Sequence, residues 1–279
     1  MRKGSGGAAA IHLAQPFICC VVLLLGLLGI GKIEYTSRAF STRISHARQV
    51  QARAPVVYRP CGADCGQKVL GAQTSTSTPP NCSIKPCLAL TFDDGPDPTH
   101  TPLVLDILAN HHATATFFVV GVHVPGNGAL LKRMHDAGHE IGNHSWGHLD
   151  MTTLAPQQIR QQIYDTQAAI AAAGVPVPHL FRPPYGAVND VVRSSVPLTI
   201  VQWNIDPEDW ANRKQAQQII EHIDLHAKPG GVVIMHDTQA RTVQALDILL
   251  TDLEKTYQFI TVSDLLHLAP GQSGVYYGR

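Results

Sequence analysis

Two adjacent carboxylates, Asp93 and Asp94, follow a short apolar segment and directly precede Gly95-Pro96. Residues 88–92 predict a buried strand, and the Gly-Pro pair predicts the turn that ends it. Two like charges a few ångströms apart are electrostatically costly, because each disfavours ionisation of the other. A bound cation would remove that cost, leaving one carboxylate to ligate the metal and the other to act as a base.

A pair of histidines, His144 and His148, lies downstream at a spacing of four residues. In a helical turn this spacing puts both imidazoles on one face, where they can bind one divalent ion. With Asp94 they would supply three protein ligands and leave a fourth position open for water, as in catalytic zinc sites. The chain holds 15 histidines, so this spacing alone is more typical of surface or core histidines. The acidic pair and three further motifs favour the metal site.

Five short motifs follow one another along the chain, at residues 91–96, 144–148, 182–186, 206–210 and 234–237. In that order they resemble the five motifs of polysaccharide deacetylases, the carbohydrate esterases with a NodB-homology domain. Each motif alone is modest evidence, but the ordered set is specific. The resemblance covers residues 87–268, about two-thirds of the chain. One departure is Ile234, where the family more often has Leu, and we expect it to adjust the acetyl pocket without removing it.

The resemblance implies a metal-dependent hydrolase of a carbon–nitrogen bond other than a peptide bond. Asp94, His144 and His148 would hold the ion. Asp93 would take a proton from the attacking water, and His236, at the end of an apolar strand, would protonate the departing sugar amine. In supporting roles, Arg182 would keep Asp93 ionised and Asp209 would orient His236. The Tyr185 backbone N–H would donate to the oxyanion. Trp210 and Ile234 would line an apolar pocket for the acetyl methyl group.

Several of these residues also have an ordinary structural interpretation. His236 could be a packing histidine, Arg182 could belong to a surface ion pair, and Trp210 could fill the core. For three further neighbours of the motifs a structural role is favoured; they are Asp206, Asp237 and His123. The ion would be a single divalent metal, and two imidazoles with one carboxylate suit zinc, although cobalt or another divalent ion also fits.

Short apolar segments alternate with helical patterns after residue 81, which predicts an α/β fold with a parallel sheet and a site at the carboxyl ends of the strands. The predicted strands are 88–92, 115–120, 140–143, 180–182, 199–203, 232–236 and 259–261. The predicted helices are 102–111, 128–137, 156–173, 189–194, 216–226 and 243–256. The family resemblance selects an irregular (β/α) barrel of about seven parallel strands over an open sheet.

The amino-terminal part predicts a membrane segment and a linker. Residues 17–30 form an apolar run after Arg2 and Lys3, which by length suits a signal peptide. No cleavage site follows closely, so we expect an uncleaved signal-anchor over residues 1–31, with secretion as the alternative. A net charge of +5 over residues 32–59 argues for the opposite orientation. We expect residues 32–80 to be a basic, Ser/Thr/Pro-rich and mostly disordered linker, and residues 81–279 to form the catalytic domain.

Four cysteines lie outside the apolar run, at Cys61, Cys65, Cys82 and Cys87. Their gaps do not match a zinc knuckle, and an even count beside a secretory segment favours two disulfides over free thiols. Three connectivities are possible, and the local one pairs Cys61 with Cys65 and Cys82 with Cys87. Disulfides indicate an oxidising, extracytoplasmic setting.

The function that these observations favour is removal of N-acetyl groups from N-acetylglucosamine residues of an extracytoplasmic glycan. An anchored position makes peptidoglycan the leading substrate, ahead of chitooligosaccharides, and an acetylxylan O-esterase would use the same site. A glycan-binding pseudo-deacetylase is a different class of hypothesis. It is disfavoured because metal ligands, base and acid are all present. We expect a monomer that meets the membrane through its amino-terminal segment and has no nucleic-acid partner.

Overall fold

The computed structural model describes residues 80–279, in which eight parallel strands alternate with seven α-helices. The strands are β1 Cys87–Asp93, β2 Thr116–Val119, β3 Glu140–Asn143, β4 Leu180–Phe181, β5 Thr199–Val201, β6 Val232–His236, β7 Gln258–Phe259 and β8 Val275–Tyr276. The helices are α1 Thr101–Asn110, α2 Gly128–Asp136, α3 Pro156–Ala172, α4 Asp190–Ser195, α5 Ala216–His226, α6 Ala240–Leu253 and α7 Val262–Leu266.

All strand pairs in the sheet are parallel, and the order is β6-β1-β2-β3-β4-β5-β8, with β7 paired to the start of β1. The sheet curves, so that Ile205, which follows β5, forms a single parallel bridge to Val233 in β6. The Ile234 N–H donates to the Ile205 carbonyl at 3.0 Å. The predicted α/β fold with parallel strands is thus confirmed, in the form of a half-barrel.

Strand β1 is buried along its whole length, as expected for a central parallel strand that is covered on both faces. Leu88, Leu90 and Phe92 belong to the large apolar core that includes the buried faces of the helices. The alternate residues Thr91 and Asp93 point to the concave side, where both contact the Arg182 guanidinium. Because successive side chains of a strand alternate between faces, the apolar pattern of β1 delivers Asp93 to the interior of the half-barrel.

Helix α6 contacts α1 and α5, and its apolar stripe belongs to the large apolar core. Its buried leucines are Leu246, Leu249, Leu250 and Leu253, at the spacing of one helix face. The helix begins at Ala240, three residues before the predicted start. Two elements were not predicted, α7 and β8, because five-residue and two-residue elements are too short to show a period. The only local signal for α7 is the cap, where the Thr261 hydroxyl accepts from the Asp264 N–H.

One of the predicted disulfides lies within the described residues. Cys82 and Cys87 are bonded, with their Cα atoms 5.2 Å apart. The bond joins the segment before β1 to the first residue of that strand. Cys61 and Cys65 lie outside residues 80–279, so their pairing stays a prediction.

None of the helices in residues 80–279 is long and apolar enough to cross a bilayer. The predicted signal-anchor, residues 1–31, and the linker, except for its last residue, lie outside this range. Both stay predictions, as do the domain boundaries.

His139 is a buried histidine at the entrance to β3. Its Nδ1 accepts a hydrogen bond from the Ala115 N–H at 3.2 Å, and its ring packs edge-on against Phe117. Burial lowers the pKa of His139 from 6.5 to about 4, and the charge of Arg133 adds to this shift. The folded protein therefore keeps His139 neutral where the unfolded chain would protonate it.

This shift predicts a loss of stability in acid. Full stability is present above pH 6.5, and part of it is lost as the pH falls to about 4. The loss attributable to His139 is at most about 3.5 kcal/mol, since one pKa unit corresponds to about 1.4 kcal/mol. His139→Asn keeps an acceptor for the Ala115 N–H but does not titrate. Urea unfolding at several pH values should show a weaker pH dependence in this variant. Parallel stability curves for the two proteins would contradict the assignment.

Candidate active site

Side chains from the carboxyl ends of several strands meet around one cavity of about 490 Å³. This is the edge of a parallel α/β fold at which binding sites generally form. The cavity is lined by Asp93, Asp94, His144, His148, Tyr185, Gly186, Trp203, Asp206, Trp210, Ile234 and His236.

Three of these side chains form a candidate metal site. The Nε2 atoms of His144 and His148 lie 3.4 and 3.2 Å from Oδ1 of Asp94. One ligand atom from each residue lies within 4.8 Å of the others, which is close enough for one ion. The prediction that these three residues come together agrees with this geometry.

The path of the chain through the two histidines differs from the expectation. The four-residue spacing predicted one helical turn, but the residues after β3 form an irregular loop. Ser145 and His148 have φ values of 67° and 53°, in the left-handed region. These backbone angles, together with the bond from the His148 N–H to Ser145 Oγ at 3.1 Å, bring the rings to 5.0 Å from one another. The helical-turn interpretation is therefore wrong, although the rings are neighbours.

The donor set fits a divalent cation. Oδ1 of Asp94 is buried and has no hydrogen-bond partner among residues 80–279. The His144 Nδ1 lies 2.6 Å from the Arg182 carbonyl oxygen, which can only accept, so Nδ1 carries the proton and Nε2 presents its lone pair to the site. An unpaired carboxylate oxygen that faces an imidazole lone pair is costly without a cation between them.

The electrostatics of Asp94 favour the ionised carboxylate. Burial opposes ionisation, but the neighbouring imidazoles of His144, His236 and His148 outweigh it, and His144 contributes most of the three. Together they lower the pKa of Asp94 to about 2. Asp94 is thus available as an anionic ligand throughout the physiological pH range.

Asp93 lies deeper, paired with a buried arginine. Arg182 Nη1 donates to Asp93 Oδ1 at 2.8 Å and to Thr91 Oγ1 at 2.6 Å. The rest of the guanidinium donates to the carbonyls of Val201 and Gln202. The surface ion pair considered for Arg182 is excluded, because its side chain has no exposed surface. A buried arginine with a hydrogen bond from each guanidinium nitrogen fixes Asp93 Oδ1, and Oδ2 is 3.7 Å from His144 Nε2.

His236 stands opposite the candidate ligands, with Nε2 4.0 Å from Asp94 Oδ2. Its Nδ1 and its backbone N–H both bond to the Asp209 carboxylate at 2.7 Å. Thr242 donates to the same carboxylate at 2.5 Å. Burial disfavours the imidazolium, but Asp209 outweighs burial, with smaller contributions from the other carboxylates, and the pKa of His236 rises to about 9. His236 therefore carries a proton near neutral pH.

The apolar side of the cavity contains Ile234, which is buried, and Trp210, which is 56 % exposed. Core packing is thus excluded as the main role of Trp210. Tyr185 is 69 % exposed and has a φ of 60°. No backbone carbonyl in the described part of the chain accepts from the Tyr185 N–H. That N–H is available to a ligand in the cavity.

Asp206, His123 and Asp237, for which the sequence favoured a structural role, lie beside the candidate site residues. The Asp206 carboxylate accepts from the Glu208 N–H at 2.7 Å and also lines the cavity. His123 Nδ1 donates to the Asp94 carbonyl at 2.9 Å. Asp237 is fully buried, and burial raises its pKa to about 7.

Two residues of the site were missed in the sequence. Trp203 lines the cavity, and the centroid of its ring lies 5.5 Å from the Arg182 guanidinium carbon. The sequence did contain a signal for Trp203, because it is an aromatic residue at the end of the predicted strand 199–203, and the site was expected at the strand ends. Thr242 supports Asp209 from α6 and had no signal, since only the tertiary fold brings residues 33 positions apart together.

A parallel α/β half-barrel with a candidate metal site of two histidines and one carboxylate at its strand ends defines the class of protein. The profile of the polysaccharide deacetylase family matches residues 81–199. Peptidoglycan-N-acetylglucosamine deacetylase of Bacillus cereus is 41 % identical over 188 residues, covering 64 % of this chain and 87 % of that protein. The chain belongs to the polysaccharide deacetylase family.

A second relative, peptidoglycan-N-acetylglucosamine deacetylase PgdA of Listeria monocytogenes, is 41 % identical over 187 residues. The match covers 67 % of this chain but only 40 % of that protein. Among solved structures, peptidoglycan deacetylase PdaC of Bacillus subtilis is similar at a TM-score of 0.64 and 38 % identity. That match covers 66 % of this chain and 91 % of the PdaC chain. The similarity therefore extends over most of the described residues, and the family resemblance of the five motifs is confirmed.

Proposed function

We propose that this protein is a metal-dependent hydrolase that removes N-acetyl groups from N-acetylglucosamine residues of an extracytoplasmic glycan and releases acetate. One observation carries the proposal. A candidate metal triad, a buried Asp93–Arg182 pair and a His236–Asp209 pair open onto the same cavity. Amide hydrolysis by a metal enzyme needs a Lewis acid, a general base and a general acid, and the three sets of residues could supply these in that order.

Asp94, His144 and His148 would hold one divalent ion. When bound there, the ion would supply Lewis acidity, which polarises a carbonyl and lowers the pKa of water toward about 7. Two imidazoles and one carboxylate favour zinc, with cobalt or another divalent ion as alternatives. The bond from His144 Nδ1 to the Arg182 carbonyl supports this assignment, because metal-binding histidines generally donate their second nitrogen to an acceptor.

Asp93 would act as the base that removes a proton from the attacking water. Its Oδ1 is occupied by the Arg182 guanidinium, so Oδ2 is the oxygen that faces the ligands. The guanidinium holds the carboxylate in position through the bond to Oδ1.

His236 would donate a proton to the departing amine. The Asp209 carboxylate is hydrogen-bonded to His236 Nδ1, so His236 Nε2 is the nitrogen that faces the cavity. The raised pKa of His236, about 9, supports this role because an acid must carry its proton before the reaction. Asp209 would act as an orienting group rather than as a second acid.

The acetyl group would be held by the remaining wall of the cavity. The Tyr185 N–H, which has no backbone acceptor among residues 80–279, could stabilise the oxyanion. Trp210 and Ile234 would surround the acetyl methyl group, with Trp203 as an additional apolar surface. Each of these contacts stays a proposal.

The leading substrate is peptidoglycan. The B. cereus and L. monocytogenes relatives are named for that activity, which supports the assignment. A Cys82–Cys87 disulfide supports an oxidising compartment. We propose that the protein acts outside the cytoplasmic membrane as a monomer, held there by residues 1–31 or released if that segment is cleaved. A chitooligosaccharide deacetylase or an acetylxylan O-esterase would use the same side chains.

A substrate panel tests this proposal. Acetate release should be fastest from N-acetylated peptidoglycan fragments, slower from chitooligosaccharides of equal length and slowest from acetylxylan. His236→Ala is the matched control, because it removes the proposed acid without touching the metal ligands. Faster release from acetylxylan than from both N-acetylated glycans would contradict the amide specificity. Glycan binding without acetate release would favour the pseudo-deacetylase.

A further inference from the structure

The turn that follows the metal ligand Asp94 is held in an unusual backbone conformation. Asp94 has a φ of 76°, in the left-handed region that a non-glycine residue adopts only when its surroundings hold it there. Two backbone carbonyls of the turn accept hydrogen bonds from the segment that follows β2. His123 Nδ1 donates to the Asp94 carbonyl and the Val120 N–H donates to the Gly95 carbonyl, both at 2.9 Å.

The turn also contacts the buried carboxylate of Asp237, which has no role in the proposed chemistry. Asp237 directly follows His236 and has no exposed surface. A Cβ atom added to Gly95 would collide with both carboxylate oxygens of Asp237. The carboxylate therefore packs directly against the Gly95 backbone, and only glycine fits there.

Thr101, the first residue of α1, connects this carboxylate to the end of the turn. Its hydroxyl donates to Asp237 Oδ2 and accepts from the Asp97 N–H at 2.8 Å. A hydroxyl that accepts and donates at once fixes the positions of both partners. Residues 94–97 are thus clamped between the loop after β2 and the Thr101–Asp237 pair.

We propose that Asp237 and Thr101 are positioning residues, which hold the turn at residues 94–97 so that the Asp94 carboxylate faces His144 and His148. This inference rests on the proposed metal-dependent function. It also links two motifs, because Asp237 is the neighbour of the proposed acid His236. Supporting groups of this kind commonly determine metal affinity although they never touch the ion.

The experiment measures zinc binding by the full chain with Thr101→Val and Thr101→Ser. Valine keeps the shape of threonine but has no hydroxyl, whereas serine keeps the hydroxyl. We expect the dissociation constant for zinc to rise about 10–100-fold in the valine variant. The serine variant should stay close to wild type. Asp237→Ala should weaken zinc binding in the same way, and Asp237→Asn, which keeps a carbonyl acceptor, should weaken it less.

Thr116→Val is a matched control for a merely structural effect. Thr116 is also buried, and its hydroxyl donates to Glu140 Oε2 and accepts from the Val262 N–H, both at 2.9 Å. It lies at the amino end of β2, away from the candidate metal site. The control should lower the melting temperature and leave zinc affinity unchanged.

Two results would overturn the inference, and they differ from each other. Normal zinc affinity in Thr101→Val, with a lowered melting temperature like that of the control, would show that the hydroxyl only stabilises the fold. No zinc binding by the wild-type chain would overturn the proposed function and this inference with it.

Discussion

Replacing Asp93 by Asn should leave metal binding nearly normal and lower kcat by roughly 10²–10⁴-fold, the usual contribution of a general base. The three proposed ligands all remain in this variant. Asn still offers an oxygen to Arg182, but it cannot accept the proton of the attacking water. Since Arg182 is completely buried, loss of the neighbouring charge should also cost stability. Activity is therefore compared per folded molecule, at a temperature below the melting transition of the variant.

Asp94→Asn is the matched partner of that variant. It should lose metal binding, whereas Asp93→Asn should lose turnover and keep the metal. It removes the anionic ligand whose Oδ1 lies within 3.4 Å of both imidazole Nε2 atoms. Metal content should fall first, and added metal should restore part of the rate. The paired measurement is metal content by elemental analysis and kcat for both variants. Loss of metal from the Asp93 variant, with retention in the Asp94 variant, would mean that the two roles are exchanged.

Much of the scaffold was predictable because the strands and longer helices have strong local patterns. Strand β3, strand β6 and helix α5 have the predicted bounds. The apolar run of residues 88–92 before Gly95-Pro96 was sufficient to place Asp93 at a strand end, and the ordered motifs indicated which other strand ends would meet it. The approximate location of the candidate site followed from the rule that parallel strands present their carboxyl ends together.

The detailed geometry could not be predicted, because it depends on backbone conformations with no sequence period. Asp94, Ser145, His148 and Tyr185 are non-glycine residues with positive φ, and all four lie at the site. Such conformations persist only where tertiary contacts hold them. This is why the two histidines could be paired from their spacing while the helical turn assigned to them was wrong.

Long-range support is the second part that the sequence could not reveal. Thr242 bonds to Asp209, and Thr101 bonds to Asp237 across 136 residues. A threonine at a helix start has an ordinary capping interpretation, so neither residue stood out. Both contacts join residues near a helix start to carboxylates that are distant in the sequence.

Removing the metal and returning it tests the hydrolase itself. The full chain is freed of metal with a chelator, the chelator is dialysed away, and zinc is added back in known amounts. Acetate release from an N-acetylated peptidoglycan fragment is then measured against zinc bound per chain. Because the three ligands form one site, we expect no measurable release without metal and a linear rise that reaches its plateau at about one ion per chain. Full acetate release by protein that elemental analysis shows to be free of metal would contradict the account.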